Sequence, residues 1–145
     1  MSGSDAGTLG ETYLAAVQHD LADLSGGETL VGVVRRPTRW FSGAVDENRP
    51  ELGPPAELLD EVKARHEDLK ARGLCDEGAH NAAWEDVDFE RRYREHLAES
   101  EDARAAVEDL ARRVRSGEDV VLVCFEGEKK ACHRHALREV VAREV

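Results

Sequence analysis

The sequence predicts an α/β fold: a small, mainly parallel sheet surrounded by helices in a single domain. Two apolar runs, Thr29–Val34 and Asp119–Cys124, have the continuous hydrophobic pattern of strands that are buried on both faces. Helical segments follow each run, which is the pattern that connects parallel strands by crossover helices. The length of 145 residues suits one domain with a substantial core.

The N-terminal part of the chain predicts a disordered start and then a helix. Residues 1–7 are mostly small and polar, and we expect them to be disordered, with the single domain spanning residues 8–145. Thr8 and Glu11 have the spacing of a helix capping box. Apolar residues then recur at helical intervals, before Gly26 and Gly27 end the pattern: Leu14, Val17, Leu21 and Leu24.

The segment Arg35–Pro55 contains all four prolines, so it predicts a long structured loop rather than one regular element. Two strands make a poor sheet. We therefore expect a third strand, either within Trp40–Val45 or near Leu74.

Helical periodicity predicts three helices between the two strands and a last one after them. The three run from Pro55 to Arg72, from Asp86 to Ala98 and from Ser100 to Ser116. A polar segment, Cys75–Asn81, separates the first two. The last helix comprises His135–Val141.

The composition is acidic, with 31 Asp and Glu against 20 Lys and Arg, which gives a net charge of -11. The surplus is spread along the chain, as in proteins that remain hydrated at high ionic strength, so we expect a halophilic protein. A carboxylate surface repels polyphosphate backbones, which makes nucleic acid an unfavoured partner. An ordinary acidic cytosolic protein is the alternative.

Cysteine usage and hydropathy predict a cytoplasmic protein with no membrane partner. The chain has three cysteines, no apolar signal stretch at its start, and no apolar run of about 18 residues. An odd number of cysteines in this setting favours reduced thiols, so disulfides are not the expected use of these residues.

The first candidate site follows the first predicted strand, at Arg35, Arg36, Arg39 and Trp40. Guanidinium groups at the carboxyl end of a parallel strand can surround a phosphate, sulfate or carboxylate, and an indole can stack on a flat ring. The alternative is that these arginines pair with the protein's own carboxylates and that Trp40 belongs to the core.

The second candidate site is the turn between the last strand and the last helix, with Cys124, Cys132, His133 and Arg134. Either thiol is a candidate nucleophile, His133 a candidate general acid or base, and Arg134 a candidate anion ligand. Two alternatives remain. One is a structural zinc site that adds His135 and either Cys75 or His80, although the spacing does not match ordinary zinc motifs. The other is that the thiols are buried packing residues.

These motifs resemble those of the DUF488 family of uncharacterised proteins. The likeness lies in the segment Val34–Arg39, in the aromatic helix around Phe89–Tyr93, and in Leu122–Cys124 with the later Cys-His-Arg at 132–134. The resemblance implies an α/β cytoplasmic protein with its site at the two strand ends, and it brings no established reaction. The chain has Val33 where the family usually has an aspartate.

These patterns together predict a protein that binds an anionic small molecule, such as a nucleotide or a phosphorylated or sulfur-bearing metabolite. Thiol-dependent catalysis would use Cys124 or Cys132 together with His133, and no cofactor is predicted. The rival function is a non-enzymatic module that binds nucleic acid or protein through the arginine-rich loop. The sequence does not decide the oligomeric state.

Overall fold

A computed structural model describes residues 6–19, 24, 26–126 and 130–145. Its four strands form one parallel sheet in the order β1-β4-β2-β3. The strands are β1 Leu9–Tyr13, β2 Thr29–Gly32, β3 Glu47–Asn48 and β4 Val120–Cys124. The predicted α/β class with a small parallel sheet is confirmed, and the carboxyl ends of all four strands lie along one edge.

Seven helices of the described residues surround this sheet. They are α1 Leu14–Gln18, α2 Arg39–Ala44, α3 Ala56–Ala71, α4 Asp76–Asp86, α5 Phe89–Glu99, α6 Glu101–Arg115 and α7 Arg134–Glu144, with a short 3-10 turn at Pro50–Leu52. The predicted helices at 55–72 and 100–116 are confirmed as α3 and α6. Ser100 caps α6, as expected, because its hydroxyl accepts the Ala103 N–H.

Strand β4 is the centre of the fold, because it pairs with β1 on one side and with β2 on the other. All five of its residues are buried, which agrees with its unbroken apolar sequence. Leu110 of α6 and Leu137 of α7 belong to the same buried core. Because Cys124 ends this central strand, the residues after it emerge in the middle of the sheet edge.

The prediction of a helix beginning at Thr8 is wrong for residues 9–13, which form β1. Leu9 pairs with Val120, and the register continues to Tyr13 opposite Cys124. The N–H and hydroxyl of Thr8 both donate to Asp119 Oδ1, at 2.9 and 3.0 Å, so Thr8 begins a strand instead of capping a helix. Pairing with a buried strand outweighs the local helical pattern. Residues 20–23 and 25 of the predicted helix lie outside the described residues.

The third strand does not lie at either expected place. Most of Trp40–Val45 belongs to α2, which Thr38 caps by accepting the Phe41 N–H, and Leu74 lies in the turn between α3 and α4. Strands β1 and β3 complete the sheet instead. Strand β3 has only two residues, which is too short for a period-two pattern to be visible in the sequence.

The prediction of a polar connecting segment at 75–81 is also wrong, because most of it forms the start of α4. Cys75 caps this helix, with its sulfur accepting the Gly78 N–H, and two acidic residues occupy the first turn. The buried residues of α4 are Ala79 and Ala83, which pack against Leu69. Alanines give a weak apolar stripe, so helical periodicity was hard to see.

At the chain start, residues 1–5 of the segment predicted to be disordered lie outside the described residues, while the Gly7 N–H donates to Val114 O at 2.7 Å. Among the helices described, none has the length and apolarity that crossing a bilayer requires.

Candidate anion site at the strand ends

A cavity of about 470 Å³ opens at the carboxyl edge of the sheet, between the ends of β2 and β4 and the helices α3 and α4. Its lining includes three permanent cations and three imidazoles: Arg35, Arg36 and Lys63, with His66, His80 and His133. No carboxylate is among the described residues that line it. In a chain with a net charge of -11, this is a local reversal of charge.

Arg35 is held by backbone carbonyls. Its Nε donates to Pro54 O at 2.9 Å and its Nη2 donates to Gly53 O at 3.2 Å. Gly53 permits this approach, because a Cβ there would lie 2.3 Å from the Arg35 backbone nitrogen. Carbonyl oxygens orient the guanidinium without neutralising its charge, so Arg35 remains a fixed positive group beside the cavity.

The other two cations are more exposed. Arg36 pairs with Asp60 at 3.1 Å, and both side chains are more than half exposed, at 57% and 66%. Such a pair exchanges readily with another anion, since surface ion pairs are worth little. Lys63 has no ion pair within the part of the chain that the structure describes.

His66 and His80 extend the polar part of the cavity wall. His80 Nε2 lies 2.8 Å from Ala131 O, so this nitrogen carries the proton. His66 Nε2 lies 3.1 Å from Asp76 Oδ1. The sequence analysis missed both residues and Lys63 as site residues. Its available signal was the histidine at position 66 within the apolar stripe of α3.

His133 lies at the junction of the cavity and the core. Its Nε2 is 2.5 Å from Val33 O, so Nε2 carries the proton and Nδ1 presents a lone pair. That lone pair lies 3.7 Å from Cys132 Sγ. Burial lowers the pKa of His133 to about 4, and the positive charge of Arg134 adds to the effect. His133 is therefore a neutral base at physiological pH.

Arg134 does not line the cavity. It is only 2% exposed, and its Nη1 donates to Cys124 Sγ at 2.9 Å and to Glu126 O at 2.5 Å. Its Nε forms no hydrogen bond and lies 3.4 Å from a Glu11 carboxylate oxygen. Burial lowers the pKa of Arg134, which Glu11 opposes. The guanidinium thus supports the Cys124 sulfur, away from Arg35.

Cys124 and Cys132 are joined as a disulfide, which corrects the expectation that these cysteines remain unpaired. Their Cα atoms are 7.5 Å apart, with a sequence separation of eight residues. The chain between them returns to the strand end because the Ala131 N–H donates to Asn81 Oδ1 at 2.8 Å. This return is a tertiary contact that the spacing of the cysteines alone did not reveal. Neither cysteine lines the cavity.

Arg39 and Trp40 lie elsewhere, on α2, beside a second depression that Val17 and Gln18 also line. Trp40 is 76% exposed. The predicted arginine-rich loop is therefore divided: Arg35 and Arg36 face the cavity, and Arg39 and Trp40 face another surface.

Within the described ranges, no group of three or more histidine, cysteine or acidic side chains has an arrangement that could hold a metal. His135 contacts Glu11, and Cys75 is an exposed free cysteine that caps α4. The residues considered for a zinc site are therefore not grouped as a ligand set.

A protein-family model described as the active DUF488-N3 subclade matches residues 14–145. The chain belongs to the DUF488 family. Neither a curated protein nor a solved structure matches it. At the position where this DUF488 chain has Val33, the side chain is fully buried and the carbonyl accepts the His133 Nε2 proton. The position supports the site through its backbone.

Proposed function

We propose that this protein binds an anionic small molecule, such as a nucleotide or another phosphorylated metabolite, in the cavity at the strand ends. Arg35, Arg36 and Lys63 hold the anion. The observation that carries the proposal is the charge of the cavity, with three cations and no carboxylate among its described lining residues, in a strongly acidic chain. Guanidinium and ammonium groups without tight internal partners are the groups that recognise phosphate.

The apolar part of the cavity supports an organic anion over a bare inorganic one. Val34, Leu59 and Val62 line it together with Phe125, whose ring is 4.8 Å from that of Phe41. A volume of about 470 Å³ is of the size that small-molecule sites have. An apolar group on this wall would direct the charged group toward the cations.

Thiol chemistry is the enzymatic part of the proposal, with Cys124, Cys132 and His133 as its residues. In the reduced protein, the His133 Nδ1 lone pair would accept the Cys132 proton, and Arg134 would stabilise a Cys124 thiolate. Membership of a subclade described as active supports an enzyme over a binding module.

The test is a calorimetric titration with inorganic phosphate and with phenyl phosphate at constant ionic strength. We expect both to bind, phenyl phosphate more tightly, and the double variant Arg36→Gln/Lys63→Gln to weaken each by about tenfold or more. Arg39→Gln is the control, since it removes one cation outside the cavity. Equal weakening by the control, or no binding by the wild type, would contradict the proposal.

A second function is favoured by the exposed indole of Trp40 beside Arg39, which suits stacking on an unpaired base or contact with a protein. Its test is the binding of a labelled single-stranded oligonucleotide at low salt. Binding that Trp40→Ala abolishes, with phosphate binding unaffected, would support this surface. The net charge of -11 predicts weak binding.

A further inference from the structure

The two sulfurs of the disulfide have different neighbours. Cys124 Sγ accepts from the buried guanidinium of Arg134 at 2.9 Å, whereas Cys132 Sγ lies 3.7 Å from the Nδ1 lone pair of His133. One sulfur therefore has a cation that stabilises negative charge, and the other has a base that can accept a proton. A purely structural disulfide requires neither group.

The disulfide is also continuous with the cavity. Phe125 follows Cys124, His133 follows Cys132, and both of these neighbours line the cavity. The segment before Cys132 is tied to α4, because Ala131 bonds to Asn81 through its N–H and to His80 through its carbonyl. The bond between the two sulfurs consequently fixes the spacing of two cavity walls.

We propose that Cys124 and Cys132 form a reversible thiol–disulfide pair, which exchanges with small-molecule thiols and changes the affinity of the cavity for its anion. The exchange stands on the contacts of the two sulfurs. The effect on affinity rests in addition on the proposed function.

Reduction by a small dithiol proceeds in two balanced steps. A thiolate of the dithiol attacks Cys132 Sγ, which is 5% exposed where Cys124 is fully buried. The protein S–S bond breaks, and Cys124 leaves as a thiolate beside Arg134. The second thiol of the reagent, after losing its proton, attacks the reagent sulfur of the mixed disulfide. The reagent becomes a cyclic disulfide, and Cys132 leaves and takes one proton. The other proton goes to solvent, and two electrons pass to the protein.

Oxidation reverses this route with a small-molecule disulfide as the oxidant. His133 Nδ1 takes the proton of Cys132, whose thiolate attacks the reagent and forms a mixed disulfide. The Cys124 thiolate then attacks Cys132 Sγ and releases the reagent thiolate.

The first experiment measures the redox state of the whole chain in buffers of graded reduced and oxidised glutathione or dithiothreitol, by alkylation and mass spectrometry. We expect Cys124 and Cys132 to become alkylated together at one midpoint. The exposed Cys75 is the internal control and should be alkylated wherever reagent reaches it. Thiols at 124 and 132 that never pair, or a pair that no reductant opens in the folded protein, would overturn the proposal.

Arg134 provides a more specific measurement. Because its guanidinium favours the reduced state with a Cys124 thiolate, Arg134→Met should move the midpoint toward more reducing buffer by about tenfold in the ratio of reduced to oxidised reagent. Arg39→Met is the matched control and should leave the midpoint unchanged. An unchanged midpoint in folded Arg134→Met would contradict the assigned role. If that variant fails to fold, the wild-type titration still decides whether the pair exists.

The second experiment titrates phenyl phosphate into the oxidised and the reduced protein. We expect the two dissociation constants to differ by about threefold or more, and Cys132→Ser to bind equally under both conditions. Equal affinities in the wild type would overturn the coupling. Absence of binding in both states would overturn the proposed function and the coupling together, while a redox midpoint would still support the pair.

Discussion

The cations of this protein fall into two groups that differ in what neutralises them. Around β3 and α6, Arg49 lies 2.8 Å from Asp109, and Arg113 lies 2.6 Å from both Glu118 and Glu47. At the cavity, Arg35 is bonded to carbonyl oxygens. An arginine that follows a strand in an acidic chain can thus be part of an ion-pair network or of a binding surface, and only its neighbours decide which.

The pKa shifts follow the same division. The hydrogen bond to Glu118 raises the pKa of Arg113, and the hydrogen bond from Arg49 lowers the pKa of Asp109. Beside the cavity, burial is the first cause, and it lowers the pKa of His133 to about 4. The network stabilises charged groups, whereas the core beside the cavity keeps an imidazole neutral.

The largest expected effect is an acid instability that comes from His133. Its folded pKa, about 4, lies below its ordinary value of 6.5, so the unfolded chain binds the proton first as the pH falls. The free energy of unfolding should fall between pH 6.5 and pH 4, by the order of 3 kcal/mol. Denaturant unfolding of wild type and His133→Gln measures it.

The network should respond in a lower pH range than His133. The folded pKa values of Asp109 and Glu118 lie below 3.8 and 4.5, so their contribution is present above those values and is lost as the pH falls through the folded pKa values. His133→Gln should therefore flatten the profile above about pH 4.5 and leave the steeper loss below it. Identical profiles for both proteins would contradict the assignment of the upper range to His133.

The next effect separates the two groups by mutation. Arg113→Met removes the centre of a partly buried network, and we expect it to lower the free energy of unfolding by about 1 to 2 kcal/mol while phenyl phosphate binding stays unchanged. Chemical denaturation and calorimetry on one preparation measure both quantities. Weaker phosphate binding in this variant would show that the two regions are not independent.

The cavity cations should behave in the opposite way. Arg36→Gln/Lys63→Gln removes exposed groups, and we expect the free energy of unfolding to change by no more than about 0.5 kcal/mol. A small increase is possible in principle, because the substitution removes repulsion among cations that lie close together. A loss comparable to that of Arg113→Met would mean that these residues are structural.

The sequence predicted those parts of the fold that have strong apolar patterns and missed those that depend on contacts. Strands β2 and β4 are unbroken apolar runs, so they were found. Strand β1, with the sequence LGETY, is specified by its pairing with β4. Helix α4 buries alanines, which provide little pattern.

The same difference applies to the candidate site. The turns after β2 and β4 were found because strand ends are visible in the sequence. Lys63, His66 and His80 were missed because α3 and α4 bring them to the cavity only in the folded chain. Arg39 and Trp40, adjacent to Arg36 in sequence, turn away because α2 begins at Arg39. Proximity along the chain predicts a site only while the backbone stays extended.

The smallest expected effect per residue is that of salt, and it tests the acidic composition against the network. Raising KCl from about 0.1 M to about 2 M screens the attraction within exposed ion pairs and also the repulsion among surplus carboxylates. These two effects have opposite signs. With 31 acidic and 20 basic residues, repulsion has more contributors, so we expect the free energy of unfolding to rise with KCl.

Arg113→Met sharpens this measurement, because it removes attraction and adds to the negative surplus. Its free energy of unfolding should rise more steeply with KCl than that of the wild type. Stability that is independent of salt in the wild type would remove the inference of a halophilic protein. Stability that falls with salt would mean that the ion-pair network, rather than the net charge, governs the electrostatic part of folding.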